Sequence, residues 1–262
     1  MPVAGIRNDA QVQLLSADFQ RRGEPNLAWM GAVGMFLALP CLRGFWPASS
    51  AGTAGELIDL SGQGRDLANV HVARFTFDDL APCADLTATS AQWFTGAGGG
   101  FNVTGIETHV APGAQGLTAG GWFRFDRAVG TMEYPMGKYA TPANGSWFLR
   151  REASGALRAT VVSGAALSNA WAGALAAGTW YWCALRFDPG NVLSAMVDLT
   201  IVDLPGAPAS VDASATPFYI GTVGGGVGAC MDGQFSFVFL CAAALSDAAL
   251  SLIYEQTRGM FK

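Results

Sequence analysis

Gly178-Thr-Trp-Tyr-Trp-Cys-Ala-Leu-Arg-Phe-Asp-Pro-Gly190 is the stretch on which the reading of the fold turns. From Thr179 to Asp188 the side chains alternate as a strand requires. Trp180 and Trp182 fall on one face; Tyr181, Cys183, Leu185 and Phe187 fall on the other. Asp188-Pro-Gly190 then supplies a turn, because proline presets φ and glycine accepts the left-handed region.

The same grammar runs outward in both directions. Phe75 and Phe77 alternate with Thr76 and Asp78, and Gly121 to Phe125 carries Trp122, Phe123 and Phe125. Ser146 to Arg151 and Ala156 to Val162 flank Ala153-Ser-Gly155, the pattern of a hairpin. Val192 to Val202 reads as the next strand, followed by a loop through Pro205 and Pro208. Another strand begins over Pro217 to Gly221. Phe235, Phe237 and Phe239 alternate with Ser236, Val238 and Leu240. Ser246 is placed to cap a short helix from Asp247 to Gln256. Short strands, turn chemistry between them and little interior helix define an all-β, antiparallel sandwich. No repeat of 20 to 50 residues marks a propeller or a solenoid.

Upstream the pattern differs. Residues 8 to 22 read as a short amphipathic helix, with Val12, Leu15 and Phe19 on one side and Gly23 and Pro25 ending it. Leu27 to Leu42 is uncharged, includes Trp29 and Phe36, and is interrupted by two glycines and Pro40. At 16 residues it is short of the roughly 20 that a membrane span needs. The sequence therefore divides into a helical and apolar arm over 1–55, with Val12, Leu15, Phe19, Trp29 and Phe36 as candidate assembly contacts, and a β-sandwich over 56–262.

Composition narrows the function. Of the 262 residues only 13 % are charged, against a usual share of about a quarter. Part of the surface is therefore expected to be covered by a partner, and a symmetric homo-oligomer is expected. A net charge of −5 gives no basic footprint for phosphates, so nucleic acid is excluded as a partner. Five cysteines without a C-x-x-C spacing, and two histidines, provide no zinc set and read as free buried thiols of a reducing compartment. The first 22 residues carry charges where a secretory signal would be apolar.

Six segments, in order, resemble the laminin-G-like branch of the concanavalin A-like lectin/glucanase superfamily. Asp59-Leu-Ser-Gly-Gln-Gly-Arg-Asp66 is similar to that family's early turn, and Leu117 to Phe125 to its first core strand. Trp147-Phe-Leu-Arg150 sits where the next core strand belongs. Gly178 to Phe187, Met231-Asp-Gly-Gln-Phe-Ser-Phe237 and Ala244-Leu-Ser-Asp-Ala-Ala-Leu250 with Ile253-Tyr254 are similar to the later motifs. The family's glycine-containing hairpin is replaced by Met196-Val-Asp-Leu199, which has no glycine.

The resemblance implies a jelly-roll sandwich and opens three roles. An apolar arm on such a body resembles tail and capsid-decoration proteins of phages. That implies a non-enzymatic virion protein, assembled in the host cytoplasm and partnered by other capsid or tail proteins. The alternative is a glycan-binding adhesion module that meets host surface sugars, with Tyr139, Asn144 and Trp147 near one loop as the candidate site. A hydrolase would need paired carboxylates. The six glutamates, Glu24, Glu56, Glu107, Glu133, Glu152 and Glu255, show no E-x-D-x-E strand, and neither His71 nor His109 lies near a nucleophile elbow. No cofactor is expected beyond calcium at a loop rim, with Asp59, Asp66 and Asp232 as candidate ligands. The competing reading makes those three aspartates turn residues.

Overall fold

The computed structural model describes residues 27–48, 55–70, 73–78, 81–87, 92–96, 116–224 and 230–261. Helix α1 spans Leu27–Leu37. Five strands follow: β1 (Leu42–Pro47), β2 (Ala68–Val70), β3 (Arg74–Asp78), β4 (Ala81–Leu86) and β5 (Trp93–Thr95). The centre of the chain forms β6 (Leu117–Phe125), β7 (Glu133–Thr141), β8 (Asn144–Arg151), β9 (Ala156–Ser163) and β10 (Ala166–Ala174). Then come β11 (Trp180–Asp188), β12 (Val192–Val197), β13 (Thr200–Pro205), β14 (Tyr219–Ile220) and β15 (Gly233–Cys241). Helix α2 (Asp247–Thr257) closes the fold, capped by Ser246, whose hydroxyl accepts from the Ala249 N–H.

The strands pair antiparallel in two sheets. One has eight strands, ordered β13-β12-β11-β6-β15-β4-β3, with β1 also paired to β15. The other has seven, ordered β10-β9-β8-β7-β14-β5-β2. This is the sandwich that the alternation predicts. Phe123, Phe125, Leu185, Phe187 and Phe235 of the first sheet interleave with Met136, Trp147, Leu149, Leu157 and Val161 of the second.

β11 carries large apolar side chains on both faces, and a face that size must be covered. Cys183, Leu185 and Phe187 look into the sandwich. Trp180 and Trp182 look out, and the helices cover them. Ala32 and Phe36 of α1, Leu250, Ile253 and Tyr254 of α2, and Phe261 form a second core with Trp122, Trp182, Phe237 and Phe239. Phe36 stacks on Phe45 at 4.6 Å, and the Trp122 indole N–H donates to the Thr257 hydroxyl at 2.8 Å.

Three expectations change here. Phe36, an expected assembly contact, is spent inside this chain with no exposed surface. The Trp29 side chain, and Val12, Leu15 and Phe19, lie outside the described residues. The stretch assigned to the arm is part of the body as far as it is described: β1 pairs with β15 from Leu42 to Pro47, so the sandwich begins upstream of residue 55.

The second change is in β15. Phe235 faces the inner core while Phe237 and Phe239 face the helices. Between Phe235 and Val238 the register with β6 shifts. This β-bulge flips the side-chain parity, which simple alternation cannot show. It also marks where β15 exchanges partners, from β4 at Phe235 to β1 from Phe237 onward.

Third, Val192 to Val202 is not one strand but a hairpin, β12 and β13, turning at Asp198-Leu199. Asp198 takes φ +53°, the left-handed role of the missing glycine. Its carboxylate accepts from the Trp182 N–H at 3.1 Å and its own N–H donates to the Trp182 carbonyl at 2.8 Å, which hold it there.

Candidate functional site

Among the described residues no helix lies over the outer face of the seven-stranded sheet. β8, β9 and β10 bring Phe148 and Arg150, Arg158 and Thr160, and Asn169 and Trp171 to this face, because their neighbours Trp147, Leu149, Leu157, Ala159, Ala170 and Ala172 point into the core. Phe148 is 1 % exposed, yet it is its neighbours' side chains that cover it. Tyr139 and Tyr134 lie 4.7 and 5.4 Å from its ring centre, and the guanidinium groups of Arg150 and Arg158 lie 5.8 and 5.7 Å away.

The cations are fixed by a hydrogen-bond row. Arg150 and Arg158 are cross-strand partners, so like charges stand opposite each other. Glu152 sits between them, accepting from Arg150 Nε at 2.7 Å and lying 3.5 Å from Arg158 Nη1. Arg150 also donates to the Tyr134 hydroxyl at 3.0 Å. Burial opposes the charge on Arg150, but the bonds to Tyr134 and Glu152 outweigh it and raise its pKa. Burial, then the neighbouring Arg150, lower the pKa of Arg158. Arg158 Nε donates to Asn169 Oδ1 at 2.8 Å, and the same oxygen accepts from the Thr160 hydroxyl at 2.9 Å.

Trp171 completes the row. Its ring packs on the Arg158 guanidinium at 5.2 Å and the residue remains 46 % exposed. An indole held on one side by a locked cation and open on the other is a platform for a flat apolar ligand face. Tyr139 lies at the far end, above Gly145. A Cβ on Gly145 would stand 2.3 Å from the Tyr139 ring, so glycine is what lets the ring lie there. Burial pushes the Tyr139 hydroxyl pKa up.

The residues expected to form a sugar site are divided by the structure. Tyr139 belongs to this face, and Asn144 is exposed at the β7–β8 turn, where its carbonyl accepts from the Thr216 hydroxyl at 2.8 Å. Trp147 turns inward, 1 % exposed, and packs on Phe218 at 5.9 Å. Trp171, Arg158, Asn169 and Glu152 were not legible as a site. β10 alternates Leu167, Asn169 and Trp171 with Ser168, Ala170 and Ala172, and small inward residues blunt the contrast that periodicity detects.

The expected calcium aspartates do not converge. Asp59 is 3 % exposed and its carboxylate accepts from the N–H groups of Phe45, Ser61 and Arg65 and from the Ser61 hydroxyl, at 2.8 to 3.0 Å. Asp66 accepts from the Asp59 N–H at 2.9 Å. Both therefore organise the loop that lies along β1. Asp232 instead pairs with Arg127 at 3.9 Å, and its N–H donates to Glu133 at 2.9 Å. Among the described residues no group of three or more His, Cys, Asp or Glu side chains comes together. All five cysteines are buried thiols outside any disulfide. His71 and His109 lie outside the described residues. Among the described residues no helix is long and apolar enough to cross a membrane.

An open depression of about 470 Å³ lies on the other sheet, around Arg186, Asp188, Asp203 and Asp247. Its carboxylates are already engaged. Arg186 holds Asp203 at 3.0 Å and also pairs with Asp247, while Asp188 accepts from Asn191 at 2.7 Å.

No protein-family model matches the sequence, and no curated protein does. Solved structures do resemble the fold. The binding domain of botulinum neurotoxin DC in complex with SialylT superposes with a TM-score of 0.59 at 8 % identity, over 83 % of this chain and 52 % of that one. The binding domain of Paraclostridial mosquitocidal protein 1 gives 0.61 at 9 % identity, over 81 % and 51 %. A Trypanosoma rangeli sialidase in complex with 2,3-difluorosialic acid gives 0.59 at 12 % identity, over 95 % and 39 %. The chain thus spans about half the length of the binding-domain structures it resembles. Identities this low define the fold alone: a two-sheet antiparallel sandwich of the kind these binding domains carry.

Proposed function

We propose that this chain is a glycan-binding module that holds sugars on the outer face of its seven-stranded sheet and breaks no bond in them. The observation that carries the reading is Trp171, 46 % exposed on a sheet face and seated on the locked Arg158–Asn169 row. The C–H face of a pyranose stacks on such an indole, and its hydroxyls match the adjacent amide and guanidinium donors. Two guanidinium groups against one carboxylate leave the row positive, so glycans bearing a carboxylate or sulfate are the expected stronger ligands. Structures that contain a similar fold in about half or less of their chain were solved with SialylT and with 2,3-difluorosialic acid, which supports a ligand of that broad class.

Two features support binding without turnover. Glu152 is held between two arginines, and Glu133 is buried against Arg151 at 2.7 Å. Neither is a carboxylate free to act as nucleophile or acid. The reading as a virion component drew on the amphipathic 8–22 segment, which lies outside the described residues, on the low charge, on the lack of an export signal and on the apolar connector. Leu27 to Ala48 is built into the sandwich, so the connector no longer favours it over glycan binding.

A glycan array probed with the chain and with Trp171→Ala tests the proposal. Binding to a subset of glycans, weakened at least tenfold in the variant, is expected. A correctly folded chain that binds nothing on the array sinks it.

A further inference from the structure

The sheet edges are guarded unequally. β2 is only three residues long, and β10 is broken by a bulge between Ala172 and Ala174. The free side of β1 is closed by the loop at Asp59, where the Leu60 N–H donates to the Phe45 carbonyl at 2.9 Å. These are the usual protections of an edge. Among the described residues β13 has neither a bulge nor a covering loop, and Pro205 guards only its far end. Its six residues pair with β12 in unbroken register, and Val202 and Leu204 are 39 % and 36 % exposed. Its single charge, Asp203, is drawn back onto the sheet by Arg186 at 3.0 Å and the Ser194 hydroxyl at 2.5 Å.

The backbone parity of this edge is determined. A two-residue turn closes the hairpin on the pair Val197 and Thr200, so even-numbered residues of β13 direct N–H and C=O toward β12. Gly206 keeps the parity, its N–H donating to the Asn191 carbonyl at 2.9 Å. Ile201 and Asp203 therefore direct theirs to the open side. Pro205, the next outward position, has no N–H to offer.

We propose that two copies of this chain associate through β13, antiparallel about a two-fold axis at Val202, which joins the two eight-stranded sheets into one. In that register Ile201 exchanges both backbone hydrogen bonds with the partner's Asp203, and Asp203 with the partner's Ile201. Val202 faces the partner's Val202, Thr200 the partner's Leu204, and Leu199 the partner's Pro205. No acid faces an acid, and Val202 and Leu204 form one apolar row across the axis. An axis at Leu204 would set Pro205 opposite Asp203 and lose donors. A second copy fits because the edge is self-complementary, and an isologous contact of this kind closes at two subunits. The contact is small, so association is expected at roughly 10–100 µM. A dimer would present two copies of any ligand face at once, which raises avidity for a multivalent surface.

Analytical ultracentrifugation from about 1 µM to about 1 mM, roughly a tenfold margin on either side of that range, tests the interface. The weight-average mass is expected to climb from 27.3 kDa toward twice that value. Val202→Lys and Val202→Glu each place like charges across the axis and should stay monomeric, while their equimolar mixture should dimerise again. A wild-type chain that is monomeric throughout, a variant that dimerises like wild type, or folded variants whose mixture stays monomeric would each overturn the proposal. Should either variant misfold, hydrogen exchange on the wild-type chain decides. The Ile201 and Asp203 amides must slow as concentration rises, and unchanged rates would refute the interface.

Discussion

The two sheets put large aromatic side chains on their outer faces and cover them by different means. On the eight-stranded sheet, Trp122, Trp182 and Phe239 lie beneath two helices and the C-terminal Phe261, each with no exposed surface. On the seven-stranded sheet, among the described residues, the side chains of Tyr134, Tyr139 and two arginines cover Phe148, and Trp171 stays 46 % exposed. A face roofed by backbone serves stability. A face roofed by side chains keeps donors, acceptors and a π-surface at the solvent boundary, where a ligand can replace water.

Truncating one outer-face tryptophan on each sheet should give opposite results. Trp182→Ala opens a cavity beneath the helices and should cost about 4 kcal/mol, read as a lowered denaturant midpoint in chemical unfolding. Trp182→Phe should cost markedly less, because among the described residues the buried indole N–H has no acceptor to lose. A midpoint for Trp182→Ala within error of wild type would mean that the helices do not seal that face.

Next in size is the buried ion pair at the end of β7 and β8. Arg151 and Glu133 are both without exposed side-chain surface and meet at 2.7 Å. Arg151 also donates to the carbonyls of Arg127 and Leu175, at 2.8 and 3.1 Å, and its guanidinium lies 5.2 Å from the Phe125 ring centre. Burial is the largest influence on Glu133 and raises its pKa against the pull of Asp232 and Arg151. Arg151→Met leaves that acid buried without its cation and should cost about 3 kcal/mol. Thermal unfolding of the single variant and of Arg151→Met with Glu133→Gln separates the pair's worth from the burial penalty; the double variant should regain part of the loss.

A smaller effect belongs to the turn. Asp198→Val places a β-branched residue at φ +53° and should cost about 1–2 kcal/mol, whereas Asp198→Gly should cost less. Equal midpoints for the two would remove the left-handed backbone from the explanation. The smallest stability effect is expected at the proposed site, where Trp171→Ala should shift unfolding by no more than about 0.5 kcal/mol while binding is lost.

Much of this fold could be read from alternation. The two faces of Thr179 to Asp188, the hairpin through Gly155 and the cap at Ser246 all follow from side-chain period and turn chemistry. Failures came where period breaks or contrast fades. The bulge near Ser236 reverses parity inside β15, so Phe235 and Phe237 part company. Asp198 turns without glycine because Trp182 holds it, a long-range cause invisible locally. The uncharged stretch after Leu27 looked unattached because its partner strand lies some 190 residues downstream, as the pairing of Trp46 with Val238 shows. Of the residues expected at a sugar site, Tyr139 lies on the proposed face and Asn144 at the β7–β8 turn; Trp171 was not legible, since alanines opposite it hide the strand.

The most direct measurement follows tryptophan indole resonances by NMR while the strongest array glycan is added. The Trp171 indole N–H should shift with saturation, and those of Trp122, Trp180 and Trp182 should hold still. Movement confined to the indoles under the helices, with Trp171 unperturbed at saturating glycan, would contradict the division of labour between the two faces.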